Sequence, residues 1–373
     1  MRQAVILSGG FGTRLSHVVP DIPKPMAPIQ NLPFLVLLLQ TLKKHNFDSF
    51  VFLTGYKSEV IENHFKTLDN AVFVKEETAL GTGGALLNAF DKLNDEFFVI
   101  NGDTFFDIDY SLLENFGKDK SVTIALRYTN NVERYGFVQI DDNFSVKFFA
   151  EKGKLPEDII DGYINGGICY VHKSALKPFA KDYKNQFISF ETEIFPQLMK
   201  NDKLYGLPLG ACFIDIGIPE DYQKAQTLIP EWISKTARPA LFIDKDGTII
   251  ENTEYPHGKN FKIIKPTIDI VKEYFQKNYY IVMVTNQAGI AKNKFTFDEM
   301  YEGFEGIKNV YKKHGITFDD LEFCPYHKDG VIKEYSYNSL MRKPNPAMIL
   351  SACEKLKIDL KHSVMIGDTE KTD

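Results

Sequence analysis

A glycine-rich segment near the start of this 373-residue chain has the residue types of a phosphate site. Residues 8–15, with the sequence SGGFGTRL, place three glycines and Arg14 directly after a short apolar run. Glycines let backbone N–H groups converge on an anion, and an arginine can bind phosphate oxygens through two parallel hydrogen bonds. A plain turn with a solvent-facing arginine is the alternative. No Gly-Lys-Ser/Thr follows, so the segment is neither a Walker A loop nor a GxGxxG motif.

Lys24 lies between Pro23 and Pro25, a few residues further along. Proline fixes its own φ and restricts the residue before it, so we expect an extended chain that holds this lysine rigidly. A lysine held near a phosphate nest can stabilise the charge that develops on a transferring phosphoryl group.

Aspartates also follow apolar runs in both halves of the chain. Asp103 ends such a run in the first half, where it could bind Mg²⁺ or simply cap a helix. In the second half, Asp244 and Asp246 are two residues apart in the sequence DKDGT. The first could attack phosphorus, and the second could protonate the leaving oxygen and later activate water. An Asx-rich turn or a calcium loop is the alternative, but no EF-hand glutamate follows at the required place.

The elements that must position these residues are short apolar runs alternating with amphipathic segments. Such runs predict buried parallel strands in two Rossmann-like three-layer α/β domains, with ligands at the carboxyl ends of the strands. The predicted strands are residues 4–7, 49–53, 97–100, 240–243, 280–284 and 363–366, and the clearest helices are 34–45 and 269–276. A last helix at 219–228, Pro230 and a polar stretch predict domains at 1–228 and 239–373, joined by a linker at 229–238.

Composition narrows the class of protein. With 44 Lys+Arg, 50 Asp+Glu and a net charge of −6, the chain is not expected to bind nucleic acid or an anionic membrane through bulk charge. The four cysteines are far apart and lack CxxC spacing, so they suggest no disulfide framework. The first apolar run is too short for a signal peptide or a membrane span, which fits a cytoplasmic protein.

The first 225 residues or so resemble the sugar-1-phosphate nucleotidyltransferases, through GGxGTRL followed by Lys-Pro-Met. The resemblance implies that a sugar-1-phosphate oxygen attacks the α-phosphorus of a nucleoside triphosphate and that pyrophosphate leaves. It implies that Arg14 and Lys24 are catalytic and that Mg²⁺ binds Asp103 and Asp215. The loop at 80–85 would read the nucleobase, although it could be only a helix entry. The implied nucleotide-binding residues are Gly9, Gly10, Gly12, Thr13, Gly81 and Thr82, and the implied sugar-phosphate contacts are Glu151, Lys152 and Asn165.

Residues 239–373 resemble the haloacid dehalogenase superfamily, most closely its histidinol-phosphate and heptose-bisphosphate phosphatases. Four motifs in order carry the resemblance: DxDGT, the segment 284–290, Arg-Lys-Pro at 342–344, and GDxxxxD at 367–373. It implies an aspartyl-phosphate mechanism with Mg²⁺ in this domain as well. The implied phosphate-binding residues are Thr285, Asn286, Arg342 and Lys343, and the implied metal ligands are Asp244, Asp246 and Asp368, with Asp373 completing the fourth motif.

Two departures from this second family lead to expectations. Relatives often hold a structural zinc with four Cys or His ligands, but only Cys324 keeps its position, whereas Tyr326, Ser339 and Met341 occupy the others. Tyr and Met are poor zinc ligands and the neighbouring His327 cannot complete the set, so no zinc is predicted. Relatives also continue with a helix and a strand after the fourth motif, so we expect a domain truncated at its C-terminus, with an open strand edge and weak phosphatase activity.

Together the two resemblances favour a bifunctional enzyme of GDP-heptose synthesis. It would dephosphorylate heptose 1,7-bisphosphate at the 7-position and transfer GMP from GTP to D-glycero-α-D-manno-heptose 1-phosphate. A transferase specific for mannose 1-phosphate or another hexose 1-phosphate is the alternative enzyme, because the shared motifs do not identify base or sugar. A regulatory or scaffold protein with one inactive domain is a further alternative, and an oligomer is possible.

Overall fold

The structure of the chain is a computed structural model that describes residues 1–10, 15, 17–20, 22–132, 135–150, 159–183, 186–252, 260–369 and 373. Contacts within the chain divide it into two compact units, Met1–Ser234 and Lys235–Asp373. Among these described residues, no helix has the length and apolar character needed to cross a membrane.

Among the described residues, the first unit contains a mixed sheet of nine strands and two separate two-stranded ribbons. Its described strands are β1 (Arg2–Leu7), β2 (Pro28–Ile29), β3 (Leu32–Pro33), β4 (Phe47–Thr54), β5 (Ala71–Lys75), β6 (Glu96–Asn101), β7 (Thr104–Phe106), β8 (Val122–Thr129), β9 (Phe137–Ile140), β10 (Val146–Ala150), β11 (Gly162–His172), β12 (Leu204–Pro208) and β13 (Phe213–Asp215). The ribbons pair β2 with β3 and β7 with β13. Its described helices are α1 (Phe34–Lys44), α2 (Ser58–Phe65), α3 (Gly81–Asn88), α4 (Tyr110–Gly117), α5 (Lys177–Asp182), α6 (Phe195–Lys200) and α7 (Pro219–Ser234).

The centre of this sheet is parallel, as the apolar runs predict. β6, β1, β4 and β5 are neighbours in that order, and Val99, Val5, Val51 and Val72 lie side by side across them. Helices such as α1 cover the sheet with their apolar faces. The antiparallel strand β11 continues the sheet beyond β6 and leads to β8, β9, β10 and β12.

Helix α7 is longer than the sequence predicts. It passes through Pro230 and ends at Ser234, so most of the predicted linker is helical. Proline removes one helical hydrogen bond, here the bond that the carbonyl of Gln226 would accept. The side-chain Nε2 of Gln30 donates to that carbonyl at 3.0 Å and replaces the missing donor. Trp232 beyond the proline is buried against Phe105, and this burial favours continuation of the helix.

The second unit has a parallel sheet with a core on each face. Its described elements are β14 (Ala240–Ile243), β15 (Tyr280–Asn286), β16 (Asp320–Cys324), β17 (Val364–Ile366), α8 (Lys265–Gln276), α9 (Phe297–Lys312) and α10 (Ala347–Lys355). The strand order is β16-β15-β14-β17. Alternate residues of β14 face opposite cores: Leu241 and Ile243 pack on one side, and Ala240 and Phe242 on the other. This confirms the expected three-layer α/β arrangement.

Candidate active sites

The glycine-rich turn and Asp103 are neighbours because β1 and β6 are neighbours. Ser8, Gly9 and Gly10 follow β1 directly, and Gly102 and Asp103 follow β6. The backbone N–H of Gly102 donates to the carbonyl of Leu7 at 2.9 Å, and a Cβ at position 102 would lie 2.6 Å from that oxygen. Only glycine allows this approach, which sets Asp103 beside the first turn.

A separate two-stranded ribbon brings Asp215 to the same place. In the antiparallel pair of β13 and β7, Asp215 is opposite Thr104. The N–H of Ile216 then donates to the carbonyl of Asp103 at 3.0 Å. The two carboxylates predicted to share a metal are therefore more than a hundred residues apart in sequence, and the pairing of β13 with β7 brings their backbones together.

Lys24 lies against both carboxylates. Its Nζ forms an ion pair with Asp103 and lies 3.6 Å from Asp215 Oδ1, and its side chain is only 14% exposed. The expected extended conformation is wrong beyond Pro23: Lys24–Met26 forms one 3₁₀ turn, because burial of Pro25 and Met26 in the core draws the chain inward. The turn still holds the lysine firmly. Gly217 lies at the lysine Nζ, and its N–H donates to Asp215 Oδ1 at 2.6 Å.

A cavity of about 700 Å³ extends from these residues between the strand ends and the start of α3. Gly9, Gly10, Gly81 and Thr82 line it, together with Lys24 and Asp103. Glu76, which follows β5, also lines the cavity and was not singled out from the sequence. Its Oε2 accepts from the N–H of Leu80 at 2.7 Å. Burial raises the pKa of this carboxyl, and the Leu80 hydrogen bond partly opposes the rise.

The glycines of the 80–85 segment serve close packing, and α3 begins at Gly81. Gly81 has φ +72°, and a Cβ there would lie 2.8 Å from the carbonyl oxygen of Ile188. The N–H of Gly84 donates to that same oxygen at 2.9 Å. The helix-entry interpretation is therefore correct, and it is compatible with a ligand role because Gly81 and Thr82 face the cavity.

A second cavity of about 180 Å³ in the first unit has Asp215, one of the two predicted metal ligands, in its lining. Asn165, Asn101, Tyr135, Glu191 and Asp215 contribute to its lining. Asn165 lies on β11, and its Oδ1 accepts from the N–H of Gly167 at 2.9 Å. Its contact with the sugar stays a prediction. The other predicted residues of this unit, Gly12, Thr13, Arg14, Glu151 and Lys152, lie outside the described residues.

In the second unit, the predicted residues converge at the carboxyl ends of β14 and β15. Lys343 Nζ lies 2.8 Å from Asp244 Oδ1 and also pairs with Asp373. Asn286 fixes the backbone of Lys343, because its Oδ1 accepts from the Lys343 N–H at 3.0 Å. Thr285 is buried beside them. This arrangement places one cation beside Asp244, the carboxylate predicted to be the nucleophile.

Gln287 organises the second aspartate, a role that the sequence did not reveal. Its Nε2 donates to Asp246 Oδ2 at 3.0 Å and to Thr285 Oγ1 at 2.9 Å. Lys245 Nζ lies 2.8 Å from Asp246 Oδ1. Nη1 of Arg342 is a buried donor that lacks a protein partner among the described residues, so its predicted phosphate contact stays open to a ligand.

Carboxylate oxygens of Asp244, Asp368 and Asp373 lie within 4.8 Å of one another. Hard oxygen ligands at this spacing fit a divalent cation such as Mg²⁺. Asp246 is outside this group, and its role as a metal ligand stays a prediction. Burial raises the pKa of Asp244 to about 6, and the positive charge of Lys343 limits this rise.

The positions at which a zinc site was considered make hydrogen bonds and packing contacts in this structure. Cys324 is fully buried and its thiol donates to the carbonyl of Tyr326 at 3.7 Å. The ring of Tyr326 packs on Tyr337 with centroids 4.4 Å apart. Ser339 is buried and accepts from the N–H of Met341 at 3.0 Å. The absence of zinc stays a prediction, which these contacts support.

Carboxylates and lysines at the ends of parallel strands in both units, with a glycine turn in the first, are typical of enzymes that act on phosphorylated substrates. The chain belongs to the nucleotidyl transferase family, whose profile matches residues 3–231. It is 40% identical over 223 residues to the D-glycero-alpha-D-manno-heptose 1-phosphate guanylyltransferase of Campylobacter jejuni, covering 59% of this chain and 96% of that protein. The crystal structure of HddC from Yersinia pseudotuberculosis, at 35% identity, superposes with a TM-score of 0.53 over 61% of this chain and 98% of HddC.

The second unit matches a different group of proteins. Residues 340–373 match a family described as HAD-hydrolase-like. A stretch of 131 residues is 38% identical to the D-glycero-beta-D-manno-heptose-1,7-bisphosphate 7-phosphatase of Yersinia pestis, covering 35% of this chain and 70% of that enzyme. The two expected resemblances are thus confirmed. The chain is a nucleotidyltransferase joined to a phosphatase, and these relatives favour the bifunctional interpretation over a scaffold.

Proposed function

We propose that the first unit transfers GMP from GTP to D-glycero-α-D-manno-heptose 1-phosphate, and that the second removes the 7-phosphate of heptose 1,7-bisphosphate. We assign the selection of the nucleobase to Glu76. Guanine presents the N1–H and N2–H donors on one edge, so a carboxylate can accept both in a charge-assisted pair. Adenine, uracil and cytosine lack two adjacent donors of this kind. The guanylyltransferase relatives and the structure of HddC complexed with GMP-PN support the same choice.

In the transferase reaction, an oxygen of the sugar phosphate attacks the α-phosphorus and the bond to the departing pyrophosphate breaks. Lys24, held between Asp103 and Asp215, places a positive charge where negative charge develops. Asp103 and Asp215 are the residues that would hold Mg²⁺, which when bound neutralises phosphate charge. The backbone N–H groups of the first glycine turn would bind the triphosphate.

In the phosphatase reaction, Asp244 attacks the 7-phosphate and forms an aspartyl phosphate while the sugar oxygen leaves. Asp246 gives that oxygen its proton and then takes a proton from the water that cleaves the intermediate. Gln287 and Lys245 orient Asp246 for both steps. Lys343 neutralises charge beside Asp244, and Asp244 and Asp368 are the residues that would hold Mg²⁺ with Asp373.

The test is a panel of four nucleoside triphosphates against heptose, mannose and glucose 1-phosphates, with pyrophosphate release as the signal. GTP with the heptose phosphate should give the highest kcat/KM, and preference for another pair would overturn the assignment. Phosphate release from the α and β anomers of heptose 1,7-bisphosphate tests the second unit.

A Glu76→Gln variant should lower kcat/KM for GTP by roughly 10- to 100-fold, from loss of a charged hydrogen-bond acceptor, whereas Glu59→Gln on the exposed face of α2 should not.

A further inference from the structure

Glu191 lies where the two cavities of the first unit meet. It is in the lining of the large nucleotide cavity and of the smaller cavity that contains Asn165. It belongs to a single π-helical turn, Phe190–Ile194, which precedes α6. Such turns are rare and are frequent at functional sites.

The position of Glu191 is fixed from both sides. The side chain of Ser189 caps the turn by accepting from the N–H groups of Glu191 and Thr192. The Glu191 carboxylate accepts from Thr82 Oγ1 at 2.7 Å and from Ser189 Oγ at 3.1 Å. The N–H of Phe190 donates to Thr82 Oγ1 at 2.8 Å, which completes a closed network with the start of α3.

Both hydrogen bonds that this carboxylate accepts in the described chain fall on Oε2. The lone pairs of Oε1 therefore stay available to a ligand. Glu191 and Asn165 of β11 both line the smaller cavity, so the negative charge of Glu191 lies on the same cavity as the predicted sugar contact. A negative group there repels a phosphate and attracts hydroxyl donors.

We propose that Glu191 binds the sugar, with Oε1 accepting a hydrogen bond from a ring or side-chain hydroxyl of the sugar phosphate. This inference rests on the proposed function of the first unit, because it takes the smaller cavity as the sugar site. Since Oε2 holds Thr82, the same carboxylate links the sugar to the segment that lines the nucleotide cavity. A nucleotide that contacts Thr82 would therefore also fix the position of the Glu191 carboxylate, which binds the sugar.

The experiment compares the full-length wild type with Glu191→Ala, Glu191→Gln and the control Glu193→Ala. Glu193 is an exposed acid of the same turn that also caps Ser189, through an N–H bond at 2.5 Å, and it lines neither described cavity. Glu191→Ala should raise KM for the sugar 1-phosphate about 10-fold or more, as loss of a charge-assisted hydrogen bond predicts. KM for GTP should change much less, and Glu191→Gln, which keeps one acceptor oxygen but no charge, should fall between Glu191→Ala and the wild type.

Calorimetry of sugar-phosphate binding in the presence of a non-hydrolysable GTP analogue should show the same order of affinities without turnover. Equal KM and affinity in Glu191→Ala and wild type would overturn the proposal. Equal losses in Glu191→Ala and Glu193→Ala would do the same, since they would show a structural effect of the turn. The sugar used is whichever one the wild type accepts, so a preference for a hexose would contradict the heptose assignment alone. A wild type that accepts no sugar 1-phosphate would overturn both.

Discussion

Replacement of Gly217 by alanine should damage catalysis through Lys24 without unfolding the protein. A Cβ at position 217 would lie 2.7 Å from Lys24 Nζ and 2.7 Å from Asp215 Oδ1. Ordinary contacts to a methyl group begin near 3.4 Å, so the lysine or the carboxylate must move by at least several tenths of an ångström. The backbone at Gly217 does not have positive φ, so alanine adds little strain of its own.

A displacement approaching 1 Å at a group that stabilises the transition state costs up to about 100-fold in rate. We therefore expect kcat for pyrophosphate release to fall by roughly 10- to 100-fold, or about 1.4 to 2.7 kcal/mol in activation free energy. Phosphate release by the second unit provides a control within the same polypeptide and should be unchanged. The melting temperature should also stay close to that of the wild type.

A double-mutant cycle with Lys24→Ala identifies the cause. If the methyl group acts by displacing Lys24, adding Gly217→Ala to Lys24→Ala should reduce the remaining rate by much less than it reduces the wild-type rate. A Gly217→Ala enzyme within about threefold of wild type, a difference well under 1 kcal/mol, would refute this reasoning, and so would full additivity of the two substitutions.

Three further predictions concern metal binding and stability. Asp103→Asn and Asp215→Asn should each abolish pyrophosphate release while the protein stays folded. Substantial activity of both variants at ordinary Mg²⁺ concentrations would contradict a shared metal site. Burial raises the pKa of Glu322 to about 7 from 4.5, against the opposing pull of Lys355, so the unfolded second unit binds fewer protons than the folded unit between those pH values. Urea unfolding should therefore show stability falling as pH rises through that window, by at most about 3 kcal/mol, and Glu322→Gln should flatten the dependence. Elemental analysis of protein purified without added metal should find no stoichiometric zinc, and a zinc signal that disappears in Cys324→Ser would show the opposite.

Sequence reasoning located the parallel strands and the groups that follow them, because an apolar run and the polar residue at its end are local features. Asp103 and Asp244 were found in this way. Glu76 follows β5 by the same rule, so the apolar run at 71–74 could have revealed it, but that run was not among the predicted strands. Glu191 could not be found from local pattern, because its contact with Thr82 spans 109 residues.

The end of α7 was predicted too early because the sequence pattern does not show tertiary contacts. Proline ordinarily stops a helix, and the sequence alone does not reveal that Gln30, almost two hundred residues earlier, supplies the missing donor. The compensation depends on tertiary packing. Gly81 and Gly84 illustrate the same point, since a Cβ would lie 2.8 Å from the carbonyl oxygen of Ile188 at the first position and 2.7 Å from that of Gln186 at the second.

The continuation of α7 through Pro230 determines where the chain can be cut if the two domains are to be produced as separate proteins. Trp232 is 6% exposed, and its ring stacks on Phe105 at a centroid distance of 6.0 Å. A fragment that stops at residue 228 would lose this indole, and removal of a buried aromatic side chain costs about 3 to 5 kcal/mol out of a typical folding margin of about 5 to 15 kcal/mol. A fragment that ends at Ser234 keeps the last turn of the helix. A transferase produced without its phosphatase should therefore include that turn, and new connecting sequence is best inserted at residues 235–237, before Arg238 pairs with Ile358 in the second unit.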